Sequence, residues 1–117
     1  MLRHSSPRGP NLQIVARDVL EARSFFARGK GLLGRASLPM DTTMWIVPCN
    51  NIHTWFMQFP IDVIFVDRKL VVQTCIRHLE PFRLIWPIWK AHSVFEFQAG
   101  AISNIEILPG DQLHVGT

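Results

Sequence analysis

Six residues, Ile61-Asp62-Val63-Ile64-Phe65-Val66, restrict the fold of this chain more than any others. In a β-strand they are apolar on both faces except at Asp62. A strand that needs cover on both sides belongs near the centre of a sheet. The run closes the stretch Cys49 to Asp67, the most hydrophobic part of the protein. Pro60 interrupts the ladder just before it and biases Phe59 towards an extended backbone. Asp67-Arg68 offers a tight turn, and Leu70 to Ile76 is rich in β-formers and reads as the returning hairpin strand.

Other short strands follow from the same period. Leu12 to Ala16 places Leu12 and Ile14 together. Met44 to Val47 is closed by Pro48. His53 to Met57 sets His53, Trp55 and Met57 on one face. His92 to Gln98 sets Ser93, Phe95 and Phe97 against Val94, Glu96 and Gln98, and Gln112 to Val115 follows the turn Leu108-Pro109-Gly110-Asp111. The period changes once. Asp18 as N-cap, Glu21 three residues on, and Val19, Ala22 and Phe26 at helical spacing predict a short amphipathic helix over Val19 to Arg28, ended by Gly29 and Gly31. Ala99 to Ile105 reads as one further helical turn. Arg77 to Ala91 has no period and reads as a long loop of the kind that carries function. The expectation is a single mainly-β domain over 12–117, a sandwich or barrel with one short helix, preceded by a mobile basic arm over 1–11.

Composition excludes several classes. Hydrophobic residues make up 48 % and charged residues 18 %, the reverse of a disordered chain. No apolar run reaches the roughly 18 residues of a membrane span. Two cysteines, Cys49 and Cys75, cannot build a disulfide framework. No apolar signal core follows Met1 to Pro10, so the reading is a cytoplasmic protein. Seven of the twelve cationic side chains fall in the first 35 positions (Arg3, Arg8, Arg17, Arg23, Arg28, Lys30, Arg35), opposed there by Asp18 and Glu21 alone. A solvated face explains them first, and an anion- or nucleic-acid-binding edge second, because no RNA-binding motif accompanies them. Gly31-Leu32-Leu33-Gly34-Arg35 lacks the spacing of a phosphate loop, and no cofactor motif is present.

Gly31 to Arg35, His53 to Met57 and Phe59 to Asp67, followed in order by Pro81, Val94, Glu96, Ala99-Gly100 and Gly110-Asp111, resemble a bacterial and archaeal family known as domain of unknown function 192. The resemblance runs from about Leu12 to the C-terminus. It implies a compact, jelly-roll-like β-sandwich with a short helix, and it implies no reaction.

The polar residues inside apolar stretches are the candidates for function. Asp62 would be buried, and a buried carboxylate costs several kcal/mol unless hydrogen bonds or a cation satisfy it. Backbone N–H groups or Arg35 could do so, or Asp62 could be a site acid. Glu96 raises the same question, and two convergent carboxylates would suit acid–base chemistry in a small hydrolase or lyase. Cys49, His53 and Asp62 have the residue types of a thiol nucleophile, its base and an orienting acid, without an oxyanion loop. Cys49, His53, Cys75 and His78 have those of a tetrahedral zinc site, at spacings too loose to favour it over two buried thiols. His92 and His114 read as rim histidines, and Trp45 and Trp55 as core. Trp86 and Trp89 read as a lid or a binding edge. The function these residues favour is a binding or accessory module for a small molecule or protein partner. Its pocket would be formed by His53, Trp55, Asp62 and Glu96 and walled by Trp86 and Trp89.

Overall fold

The structure, a computed structural model, describes residues 1–22, 38–49, 59–81, 83, 85 and 87–116. Among them eight strands form two sheets. β1 (Leu2–Ser6), β2 (Gly9–Ala16) and β8 (Gln112–Val115) make the smaller one, in the order β2-β1-β8 and antiparallel throughout. β3 (Asp18–Ala22), β4 (Thr42–Ile46), β5 (Ile61–Val66), β6 (Val72–Leu79) and β7 (Ser93–Gln98) make the larger one, in the order β3-β4-β7-β5-β6. Only β3 and β4 run parallel. The chain is mainly β, as expected, and takes the sandwich form. The sheets meet at one corner, where Val71 bridges to Gln112 and backbone hydrogen bonds join Leu70 and Val72 to Leu113 and Asp111.

Strand β5 lies between β7 and β6, and all six of its residues are buried. Its alternation separates two cores. Ile64 and Val66, with Phe95 and Phe97 from β7, pack between the sheets against Leu2, Val15, Ala16 and Leu113. Ile61, Val63 and Phe65 point the other way. With Met44, Ile46 and Val94 they form a second apolar face, against which Leu38, Phe59, Ile85 and Ile88 pack. Each buried aliphatic or phenyl side chain contributes about 1.5–3 kcal/mol, so this double cover is what makes β5 central.

Two expectations need correction. Residues 1–11 hold β1 and the start of β2 instead of forming an arm. Leu2 is fully buried in the intersheet core, and β1 is the middle strand of its sheet. Asp18–Ala22 is a strand rather than the first turn of a helix. It pairs residue for residue with Thr42–Ile46, and the N–H groups of Arg17 and Asp18 both donate to the Asp41 carbonyl at its start. Pairing along the open edge of β4 outweighs a helical spacing that rested on three apolar positions. The remainder of that expected helix, the strand expected over His53 to Met57, and Arg35 lie outside the described residues. Ala99 to Ile105 forms a series of turns, closed by Ala101→Gln98, Ser103→Gly100 and Ile105→Ile102 backbone bonds.

Candidate functional site

Asp62 and Glu96 occupy neighbouring strands but opposite faces. In the β5–β7 ladder Asp62 lies opposite Phe97, and Val63 lies opposite Glu96. Phe97 belongs to the intersheet core and Val63 to the outer face, so the two carboxyls project to different sides of the sheet. They cannot work on one substrate, and the expected pocket containing both does not form.

Asp62 is satisfied locally. Its Oδ1 accepts the His78 N–H at 2.7 Å and its Oδ2 the Gly100 N–H at 3.1 Å. The β5–β6 register slips between Ile61 and Val63, so Arg77 and His78 oppose Asp62 together. His78 takes a positive φ of 54°, and Gly100 one of 92° in the turn after β7. Bulges and left-handed turns withdraw N–H groups from the ladder, and Asp62 supplies their acceptor. Its role is to pin a bulge to a turn. The Arg77 guanidinium extends the junction by donating to the carbonyls of Ile102 and Ile105.

Glu96 has no such support. It is 6 % exposed, with Met44 opposite it on β4 and Val63 on β5. Among the described residues no donor reaches its carboxyl within hydrogen-bond distance and no cation within ion-pair distance. Burial pushes its pKa up to about 7. At neutral pH the group therefore divides between a neutral acid and an anion.

Among the described residues, one heavily bonded carboxylate is one that sequence reasoning passed over. Asp111 is 1 % exposed at the turn before β8. The Arg8 guanidinium grips it at 2.9 and 2.7 Å, His4 Nε2 donates at 2.8 Å, and the Leu108 N–H at 3.0 Å. Burial alone would raise its pKa, but the Arg8, Leu108 and His4 bonds outweigh it and hold the carboxyl far below the usual range. Bonds to Asp111 raise the Arg8 pKa in turn. Arg8 also contacts Glu106 Oε1 at 2.9 Å, so its donors are committed to the protein. Beside this cluster an open cleft of about 280 Å³ is lined by His4, Ser6, Arg8, Gly9, Asn11, Gln13 and Glu106. The buried Nδ1 of His4 has no hydrogen-bond partner. The signal available in the sequence was the alternation of Leu2 and His4, which places the histidine on the buried face.

The remaining candidates disperse. Cys49 packs on the outer face with Glu96, whereas Cys75 packs towards the intersheet core, where burial raises its thiol pKa. The His78 side chain is largely exposed, 3.7 Å from Glu80. The cysteines therefore do not converge, and Asp62 faces away from Cys49. His53, Trp55 and Trp86 lie outside the described residues. Trp89 is 92 % exposed at the tip of the turn Ile88–Ala91. The loop does flank the Glu96 face, but through Ile85 and Ile88, and Trp89 is no wall to it. Trp45 stacks on Phe95 with centroids 5.2 Å apart and donates from Nε1 to Ser93 Oγ at 2.9 Å, which satisfies its one polar atom. His92 is half-buried and His114 exposed, the latter bonded to Ser5 Oγ.

Two antiparallel-rich sheets around a shared core, with a second apolar face bearing a carboxyl that no described residue pairs, define a small β-sandwich. The chain belongs to the family called domain of unknown function 192, described as an uncharacterised ACR, whose model matches residues 9–115. Its fold is similar to that of a protein of unknown function from Novosphingobium aromaticivorans, at 22 % identity over 97 % of this chain and 83 % of the other, with a TM-score of 0.78. It is equally similar to a protein from Sinorhizobium meliloti described as a putative transcription regulator, at 20 % identity over 97 % and 90 %, with a TM-score of 0.78. At these identities the likeness concerns the fold. No curated protein matches the chain. Among the described residues no helix is long and apolar enough to cross a membrane.

Proposed function

We propose that the chain is a non-catalytic binding module whose site is the outer face of the larger sheet, centred on Glu96. One observation carries the reading: a carboxyl buried among Met44, Val63 and their apolar neighbours, with no described donor to satisfy it. Such a group costs stability in the free protein, and a ligand that meets its hydrogen-bonding need recovers that cost. His53, Trp55 and Trp86 are retained as candidate neighbours of this site from their place in the sequence. A partner that engages the exposed Trp89 turn would dock beside it. That Cys49 and Cys75 are not joined in a disulfide supports a cytoplasmic setting.

The enzymatic alternative loses its main support, because a pair of carboxylates on opposite faces shares no substrate. Binding of nucleic acid through the N-terminal basic residues is weakened by Arg8, whose donors Asp111 and Glu106 already occupy. A fragment screen read by backbone amide NMR tests the proposal. Hits should perturb Met44, Val63 and Glu96 together and be lost in Glu96→Leu. Hits confined to the His4–Glu106 cleft would move the site to the other end of the sandwich.

A further inference from the structure

Resting on the Glu96 site just proposed, the ligand class can be narrowed by what surrounds that carboxyl. Glu96 sits mid-strand on β7, between Met44 and Val63 on the adjoining strands, and Ile46, Phe65 and Val94 extend the same face. No described cation pairs with the Glu96 carboxyl. Arg8 is bound to Asp111 and Glu106. Arg77 donates to the turns after β7. Arg68 and Lys69 occupy the exposed β5–β6 turn, and Arg17 and Lys90 are also exposed. The other polar side chain on this face of β7, Gln98, accepts the Leu38 N–H through its Oε1.

A lone carboxyl on an apolar face gains most from a ligand that brings its own positive charge. An ammonium group forms a charge-assisted hydrogen bond, roughly twice as strong as one between neutral groups, and cancels the charge that burial penalises. The apolar surroundings suit a hydrocarbon body attached to that charge. An anionic ligand would add a second uncompensated charge, and a neutral one would meet the protonated acid with a single ordinary hydrogen bond. We infer that the Glu96 face binds an amphipathic organic cation, an amine on an apolar body, with Glu96 as its counter-ion. Because Glu96 is partly protonated at neutral pH in the free protein, pairing with an ammonium group expels that proton. Binding then releases up to one proton and weakens as the pH falls.

Three probes of equal length separate the possibilities: n-hexylammonium, n-hexanol and hexanoate, titrated into the full chain while the amides of Met44, Val63 and Glu96 are followed by NMR. The inference requires hexylammonium to bind at least about tenfold more tightly than either of the others, the worth of one charge-assisted hydrogen bond. In Glu96→Gln that preference should vanish while hexanol binding persists. Calorimetry in buffers of different ionisation enthalpy should show proton release near pH 6.5 and none at pH 9. Equal binding of hexanol and hexylammonium would overturn the cationic class and leave the site standing. If no probe perturbs this face, both the class and the site fall. The wild-type comparison does not depend on how well the variant folds.

Discussion

Asp111 and Glu96 are both buried carboxyls, with opposite electrostatic fates. Asp111 receives an Arg8 fork, a histidine N–H and a backbone N–H, and its pKa drops. Glu96 receives no described donor, and its pKa climbs to about 7. Burial is common to both, so partners alone decide which carboxyl stays charged. Asp111 ties β1, the Arg8 turn and the loop before β8 together, which is a structural task. No described residue is tied by the Glu96 carboxyl, and its cost to the fold is what the proposed site rests on. Asp62 lies between them, satisfied by two backbone N–H groups.

Removing the best-paired carboxylate gives the largest expected effect. Asp111→Ala leaves buried His4 and the Leu108 N–H without their acceptor and half-exposed Arg8 without its anion, and each buried donor left unmet costs about 1–3 kcal/mol. Urea unfolding at pH 7 measures it, and a loss under about 1 kcal/mol would show that Arg8 and His4 simply rehydrate. The next effect has the opposite pH signature. A carboxyl whose folded pKa is raised carries no penalty at low pH, where both states are protonated, and costs stability once the unfolded chain can lose a proton that the folded state holds. Between the ordinary value of 4.5 and about 7, stability therefore falls as the pH rises, and above that the penalty is complete. From pH 4.5 to 8 the wild type should lose about 3 kcal/mol. Glu96→Gln should abolish that slope. Asp111 does not interfere, because its contribution is lost only in strong acid.

Much of this architecture was legible in the residues, and the illegible parts share a cause. Ile61 to Val66 announced a strand covered on both sides, and the alternation in Ser93 to Gln98 placed Glu96 on the face opposite Phe95 and Phe97. Local period carried both. That Asp62 and Glu96 diverge depends on which residue of β5 opposes which of β7, a register that no local pattern contains. The acceptors of His78 and Gly100 are likewise set by a bulge and a turn distant in sequence. The N-terminal hairpin was missed because two alternating residues, Leu2 and His4, are too short a signal, and the Ser, Pro and Gly around them read as a tail. Asp18 to Ala22 carried a genuine helical spacing, and only the unfilled edge of β4 explains its strand.

Asp62 tests the middle of the comparison. Asp62→Asn keeps one carbonyl acceptor for two N–H groups and turns an amide N–H towards the other. The expected cost is about 1–3 kcal/mol, the price of leaving one buried donor unmet. Hydrogen exchange should locate it, with the His78 and Gly100 amides losing protection together. Loss at only one of them would show that the bulge and the turn are held separately.

The smallest effect concerns Trp89, which contrasts with Glu96 by contributing nothing to burial. The turn that carries it is anchored by Ile88 and Ala91, both packed on the outer face, and closed by the Ala91 N–H to the Ile88 carbonyl at 2.9 Å. The indole projects beyond that anchor into water. Trp89→Ala should change stability by no more than about 0.5 kcal/mol, as for surface substitutions generally. Trp89→Phe should remove a water-like component of the fluorescence that Trp45, stacked on Phe95, cannot supply. A cost above about 1 kcal/mol would mean that the indole folds back over the Glu96 face in solution. The carboxyl would then be shielded by the loop's tip as well as its base, and a ligand would have to displace Trp89 to reach it.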